Sequence, residues 1–98
     1  MAVYVDSEKI QWRGRVWCHL VADSLDELHA FAAQLGLQRR WFQGRSFYPH
    51  YDVTVPVRER ALRIGAIDAD RETIIACCKS MRSEMLQLRS IQVSIVDA

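Results

Sequence analysis

The stretch Arg15-Val16-Trp17-Cys18-His19-Leu20-Val21-Ala22-Asp23-Ser24-Leu25-Asp26-Glu27 decides the fold, because it reads as a buried strand that feeds directly into a helix. Val16, Cys18, Leu20 and Ala22 point one way along the strand and Trp17, His19, Val21 and Asp23 the other. Both faces are largely apolar, as expected of a strand covered on both sides. Ser24 and Glu27 have the S-x-x-E spacing of a capping box, in which hydroxyl and carboxylate each take one orphaned backbone N–H. The helix therefore starts at Leu25. Leu25, Leu28, Ala32 and Leu35 fall on one side at helical spacing with Phe31 flanking them, and Gly36 supplies the left-handed position that ends a helix.

Upstream, Ala2-Val3-Tyr4-Val5 reads as a first strand stopped by Asp6-Ser7-Glu8-Lys9, and Ile10 to Arg15 as an irregular connection. Downstream, Leu37 to Val55 has no convincing helical or alternating pattern, and a loop of that length is uncommon unless it is functional or disordered. Trp41, Phe42, Phe47, Tyr48 and Tyr51, five of the nine aromatics, argue that it packs against something. Pro56 suits the first turn of a short helix ended by Gly65, and Ala66-Ile67-Asp68-Ala69 a short strand. Asp70 is a good N-cap for a helix from Arg71 to about Leu88. The stripe Ile74, Cys78, Met81, Met85, Leu88 docks that helix on its own sheet in preference to a dimer seam. Ile91, Val93 and Ile95 alternate with polar residues and predict a last, half-buried strand. The expected architecture is a single small α/β domain over residues 1–98, with helices packed on a mainly parallel sheet of about four strands in the order β-β-α-α-β-α-β.

Half of the 98 residues are hydrophobic and 26% are charged, which fits one modest core. No apolar run approaches a membrane span and the first residues lack a signal-peptide pattern, so the expectation is a cytoplasmic protein. Three cysteines without C-x-x-C spacing read as reduced thiols near the core. The net charge of +1 gives no global field toward nucleic acid, but arginine outnumbers lysine 11 to 2. Arginine's planar fork suits phosphate and carboxylate, and the bias counts only where arginines cluster. Arg39, Arg40 and Arg45 cluster in the aromatic loop.

His19, His29 and His50 all lie between Trp17 and Asp52, accompanied by Asp23 and Asp52, and this concentration is the main chemical signal. Along an extended strand His19 and Asp23 are roughly 13 Å apart at about 3.3 Å per residue, too far to share a metal. His50 and Asp52 share one side of an extended segment, with Tyr51 opposite. Each residue also has a structural reading. His19 serves as a hydrogen-bonded core histidine, Asp23 as a helix cap, His50 and Asp52 as a mutual pair, and Arg39 and Arg40 as a solvated helix exit.

Met1-Ala2-Val3-Tyr4-Val5-Asp6, Trp17-Cys18-His19-Leu20-Val21-Ala22-Asp23, Glu27-Leu28-His29-Ala30-Phe31-Ala32, Arg40-Trp41-Phe42, His50-Tyr51-Asp52-Val53 and Ala61-Leu62-Arg63-Ile64-Gly65-Ala66 occur in that order. In these motifs the chain resembles the domain of unknown function family 4031, small bacterial and phage proteins and N-terminal modules joined to phosphohydrolase-type domains. The resemblance covers roughly residues 1–70 and supplies no mechanism. It implies that His19, Asp23, His29, Arg40, His50, Tyr51 and Asp52 are family motif positions.

Two functional readings follow. In the first, the domain binds a phosphate-bearing ligand, such as a nucleotide or a nucleic-acid end. Arg39, Arg40 and Arg45 hold phosphates, and Trp41 or Tyr48 stacks a base. His50 with Asp52 and Asp23 orients or deprotonates a nucleophile in a cleft that also takes in His19, His29 and Tyr51. Hydrolysis of the phosphoesterase type is open within this reading, as is a divalent metal held by Asp23, Asp52 and a histidine. In the second, loop 37–55 is the contact surface of a small protein-interaction or regulatory module, since Trp, Tyr and Arg are enriched at binding hot spots. Asp23, His50 and Asp52 are expected to surround one cleft if the loop returns to the end of the strand.

Overall fold

The computed structural model describes the backbone of residues 2–97 and the side chains of residues 2–90. Five strands and three α-helices follow one another as β1 Val3–Val5, β2 Ile10–Trp12, β3 Arg15–Ala22, α1 Leu25–Gln34, β4 Tyr51–Thr54, α2 Val55–Arg63, β5 Ile67–Asp68 and α3 Arg71–Asp97. One 3-10 turn, Arg39–Trp41, interrupts the segment between α1 and β4.

β3 is the strand on which the others are laid. Its residue Leu20 is opposite both Val5 of β1 and Tyr51 of β4, so β1 and β4 flank its two edges. Trp17 is likewise opposite Ile10 of β2 and Thr54 of β4, which puts β1 and β2 end to end along the same edge. Among the described residues the three pairings with β3 are antiparallel, and only β1 with β5 is parallel. The sheet is therefore mixed, where a mainly parallel one was expected. The helix-containing units that suggested parallel crossovers leave and re-enter on different strands: α1 connects β3 to antiparallel β4, and only the β5 return pairs in the parallel sense.

Two strands were missed for local reasons. β2 and β3 form a hairpin in which Trp12 faces Arg15 across Arg13-Gly14. Both turn residues have positive φ, 51° and 74°, the condition for the two-residue turn that matches strand twist. An arginine in the left-handed position hides that turn from the sequence. In β4 only Tyr51 and Val53 point inward, each 1% exposed, so the alternation is too short to stand out within the aromatic loop.

The helices form where capping and periodicity place them. The backbone N–H of Glu27 donates to the Ser24 hydroxyl, which in turn donates to the Glu27 carboxylate, so the two side chains are mutually tied. Glu84 of α3 accepts from the Leu25 N–H at 2.9 Å, closing another orphan donor of α1 from across the fold. Asp70 caps α3 by accepting from the Thr73 N–H at 2.9 Å. Neither Gly nor Pro occurs from Arg71 to Asp97, and α3 runs on through the segment expected to be a strand at residues 91–95. The side chains of that segment lie outside the described residues.

α1 covers the sheet face that carries Leu20 and Tyr51, with His29 bonded to the Tyr51 hydroxyl at 2.8 Å. α2 joins it there, Arg60 donating to the Leu35 carbonyl at the end of α1. α3 covers the opposite face, its Ser80 hydroxyl donating to the Asp23 carbonyl at 3.3 Å. Leu28, Ala32, Leu20, Val5 and Ala61 close one layer of the core, and Val21, Ile74, Cys78 and Met81 the other. The α3 stripe docks over its first three steps, and Met85 packs partly, but Leu88 is exposed. All three cysteines are free and buried, and burial pushes the Cys77 and Cys78 thiols up to about 11. Among the described residues no helix is long and apolar enough to cross a membrane.

Candidate functional site

Antiparallel pairing of β3 with β4 sets His19 directly opposite Asp52. Both side chains emerge on the face covered by α3, and His50, two residues before Asp52, emerges there too. Three residues from distant parts of the sequence are thus assembled by one register. His50 Nε2 lies 3.1 Å from Asp52 Oδ1, and the His19 and His50 rings meet edge to face with centroids 4.9 Å apart. One nitrogen from each ring and one Asp52 oxygen all fall within 4.8 Å of one another.

Each ring is held from behind. Asp6, just past β1 and 4% exposed, accepts from the His19 backbone N–H at 2.8 Å, and its other oxygen meets His19 Nδ1 at 2.5 Å. The hydrogen bond to Asp6 raises the His19 imidazole above its ordinary value, outweighing the opposite effect of burial. Burial alone would raise the Asp6 carboxyl, but the side-chain and backbone hydrogen bonds from His19 hold it below the usual carboxylate value. The Asp6 carbonyl in turn accepts from Arg58 Nε at 2.7 Å, which fixes the end of β1. His50 Nδ1 donates to the Tyr48 carbonyl. With both Nδ1 atoms engaged, the ε nitrogens are the ones left for chemistry.

His19 and His50 border a cleft of about 300 Å³ between the sheet and α3, together with Asp6, Tyr48, Arg71 and Cys78. A second groove, about 510 Å³, runs along the edge of the sheet at β4, lined by Trp12, Trp17, Trp41, Arg15, Arg40 and Asp52 among others. Trp12 and Trp41 are 57% and 46% exposed there, and the Arg13 guanidinium covers one face of the Trp12 ring, 4.5 Å from its centroid. The His50–Asp52 pair stands between the two depressions, His50 lining one and Asp52 the other.

Asp23 is elsewhere. It accepts from the Ala2 N–H at 2.9 Å and from Cys77 Sγ at 3.8 Å, and borders a separate depression with Tyr4 and Cys77. Cys78 borders the His19 cleft and Cys77 the Asp23 depression, so α3 separates Asp23 from His50. The expected common cleft of Asp23, His50 and Asp52 is not formed, because Asp23 is engaged by the Ala2 N–H and Cys77 in its own depression while His50 opens into the other. His29 and Tyr51 are on the opposite face, bonded to each other and packed by Phe42, whose ring is 4.7 Å from that of His29. Burial, with the nearby Arg39 charge, lowers the His29 imidazole, and burial raises the Tyr51 phenol. Arg39 and Arg45 are exposed and border neither depression, whereas Arg40 and Trp41 border the edge groove. The sequence reading did not single out Asp6, Trp12, Trp17 or Arg71. Asp6 carried one available signal, an acidic residue closing a strand beside a histidine-bearing one.

Fold and site define a small mixed-sheet α/β domain with a two-histidine, one-aspartate cluster on the sheet beside an arginine- and tryptophan-lined groove. The chain belongs to the family described as "Protein of unknown function (DUF4031)", whose sequence model matches residues 3–81 and so extends into α3. Comparison with curated proteins and with solved structures gives no match.

Proposed function

We propose that this domain binds a phosphate-bearing ligand, a nucleotide or the end of a single-stranded nucleic acid, in the edge groove, with its phosphate directed toward the His50–Asp52 pair. One observation carries the reading: the groove that interleaves Trp12, Trp17 and Trp41 with Arg15 and Arg40 runs up to Asp52. Exposed tryptophan faces stack bases without regard to their identity, and arginine forks hold phosphate by paired hydrogen bonds. Asp52 and His50 at the junction supply an acceptor and an imidazole where a phosphate ester would lie, the residue types that orient or deprotonate an attacking water. Arg40 and Arg15 take the phosphate-holding role here, since Arg39 and Arg45 do not border the groove.

Titration calorimetry against mononucleotides and short single-stranded oligonucleotides at two salt concentrations tests this. Saturable binding that weakens with salt is the expected outcome, because counterions are re-bound at phosphate-contacting arginines. Incubation of the same oligonucleotides then reads hydrolysis directly. A folded protein that binds none of them would transfer the loop to the alternative role, a protein contact surface over residues 37–55.

A further inference from the structure

We propose that His19, His50 and Asp52 form a binding site for one divalent transition-metal ion. The donor atoms are already gathered, within 4.8 Å of one another, and the 3.1 Å between His50 Nε2 and Asp52 Oδ1 is close to the roughly 3.3 Å that separates two ligands on a tetrahedral ion with bonds of about 2.0–2.1 Å. The two rings stay held through Nδ1, and the remaining distance is closed chiefly by the Asp52 carboxylate, whose side chain is 36% exposed.

Two further observations point to a cation. Metal-ligating histidines commonly donate their second ring N–H to a carboxylate or a backbone carbonyl, which fixes the tautomer and aims the other nitrogen. Both arrangements occur together here, Asp6 behind His19 and the Tyr48 carbonyl behind His50. The carbonyl can only accept, so His50 Nδ1 donates to it, and Nε2 is the ring nitrogen directed at Asp52 Oδ1, 3.1 Å away. A cation that also reaches His19 satisfies all three donors at once.

Two imidazoles and one carboxylate select borderline ions such as Zn²⁺, Co²⁺ or Fe²⁺ over Mg²⁺ and Ca²⁺, which prefer oxygen. Three protein ligands also leave positions open toward the cleft, the pattern of a reactive site more than of a closed structural one. The set excludes Asp23, which α3 holds apart. Asp6 acts as a positioning residue through His19.

The test uses tag-free protein stripped with a chelator and titrated with Co²⁺, followed by visible absorption, with Zn²⁺ and millimolar Mg²⁺ as competitors. Expected are one Co²⁺ per chain, ligand-field bands of nitrogen and oxygen coordination, displacement by Zn²⁺ and none by Mg²⁺. His19→Ala, His50→Ala and Asp52→Asn should each weaken binding at least about 10-fold. Asp6→Asn should weaken it about 10- to 100-fold while the bands at saturation persist. His29→Gln and Asp23→Asn should bind as the unaltered chain does. Circular dichroism establishes that each variant is folded. Absence of the bands in folded unaltered protein, displacement by Mg²⁺, or loss of binding in the two control variants in place of the cluster variants would overturn the proposal. No nucleotide enters the experiment, so its failure is separate from failure of the edge-groove reading.

Discussion

One carboxylate, that of Asp6, holds both the backbone N–H of His19 and its ring Nδ1, at 2.8 and 2.5 Å. Because the imidazole is raised above the ordinary 6.5, its contribution to stability is fully present below that value and is lost as pH rises through its folded value. Because the Asp6 carboxyl is lowered below 3.8, its contribution is present above that value and is lost as pH falls through its folded value. Both contributions coexist only in the weakly acidic window between the two. Chemical denaturation across pH, with chelator present, should therefore give a stability difference between the unaltered chain and Asp6→Asn that is greatest inside that window and shrinks on both sides. A difference that is flat with pH would mean that the pair is not coupled as its geometry indicates.

Leu28 is fully buried at the centre of the α1 stripe, between the helix and β3. Leu28→Ala should destabilise the domain by about 2–4 kcal/mol, the lost transfer energy plus the cavity left behind. Denaturant unfolding monitored by tryptophan fluorescence reads this as a lowered midpoint with an unchanged slope. An unchanged midpoint would show that α1 does not close the core.

α1 and its core face were legible because every signal is local: a cap within four residues, a helical period and a terminating glycine. The sheet was less so. Whether β3 pairs antiparallel with β4 depends on contacts between residues more than thirty positions apart, and β4 shows only two inward side chains to the sequence. The same register explains the site. His50 and Asp52 could be placed on one side of an extended segment from their spacing alone, but their meeting with His19 follows from Asp52 lying opposite it. Asp23 drew notice because it lies in the same stretch of sequence as the three histidines, whereas the acid bonded to His19 is Asp6, brought there by the β1–β3 pairing. The period-two pattern at residues 91–95 misled because alternation in a short segment is weak against an uninterrupted helix with no glycine or proline to stop it.

Arg58 is 7% exposed and its guanidinium has three partners, the Asp6 carbonyl at 2.7 Å, Glu59 at 3.0 Å and Asp68 at 3.1 Å. The side chains of Glu59 and Asp68 are more than half exposed, so those ion pairs are screened by solvent and contribute little. The bond to the Asp6 carbonyl is the one that matters. Arg58→Ala should cost about 1.5–3 kcal/mol, the range for a hydrogen bond to a charged group, while Glu59→Ala and Asp68→Ala should each cost less than about 1 kcal/mol. Equal losses in all three variants, measured by urea unfolding, would place the stabilisation in the ion pairs instead.

Arg40 tests the ligand reading most directly, because it is exposed, borders the edge groove beside Trp41, and has no hydrogen-bond or ion-pair partner among the described residues whose loss would disturb the fold. If its guanidinium holds a phosphate, Arg40→Ala should weaken binding of a nucleotide or short single strand by about 1.5–3 kcal/mol with no change in the unfolding midpoint. It should also flatten the dependence of affinity on salt, since one phosphate contact fewer means one condensed counterion fewer to release. Arg45→Ala serves as the comparison, being equally charged and exposed but outside the groove. Calorimetric titrations of both variants at two salt concentrations separate a specific contact from general charge. Equal weakening by both would reduce the effect to net charge and remove the assignment of Arg40 to the phosphate.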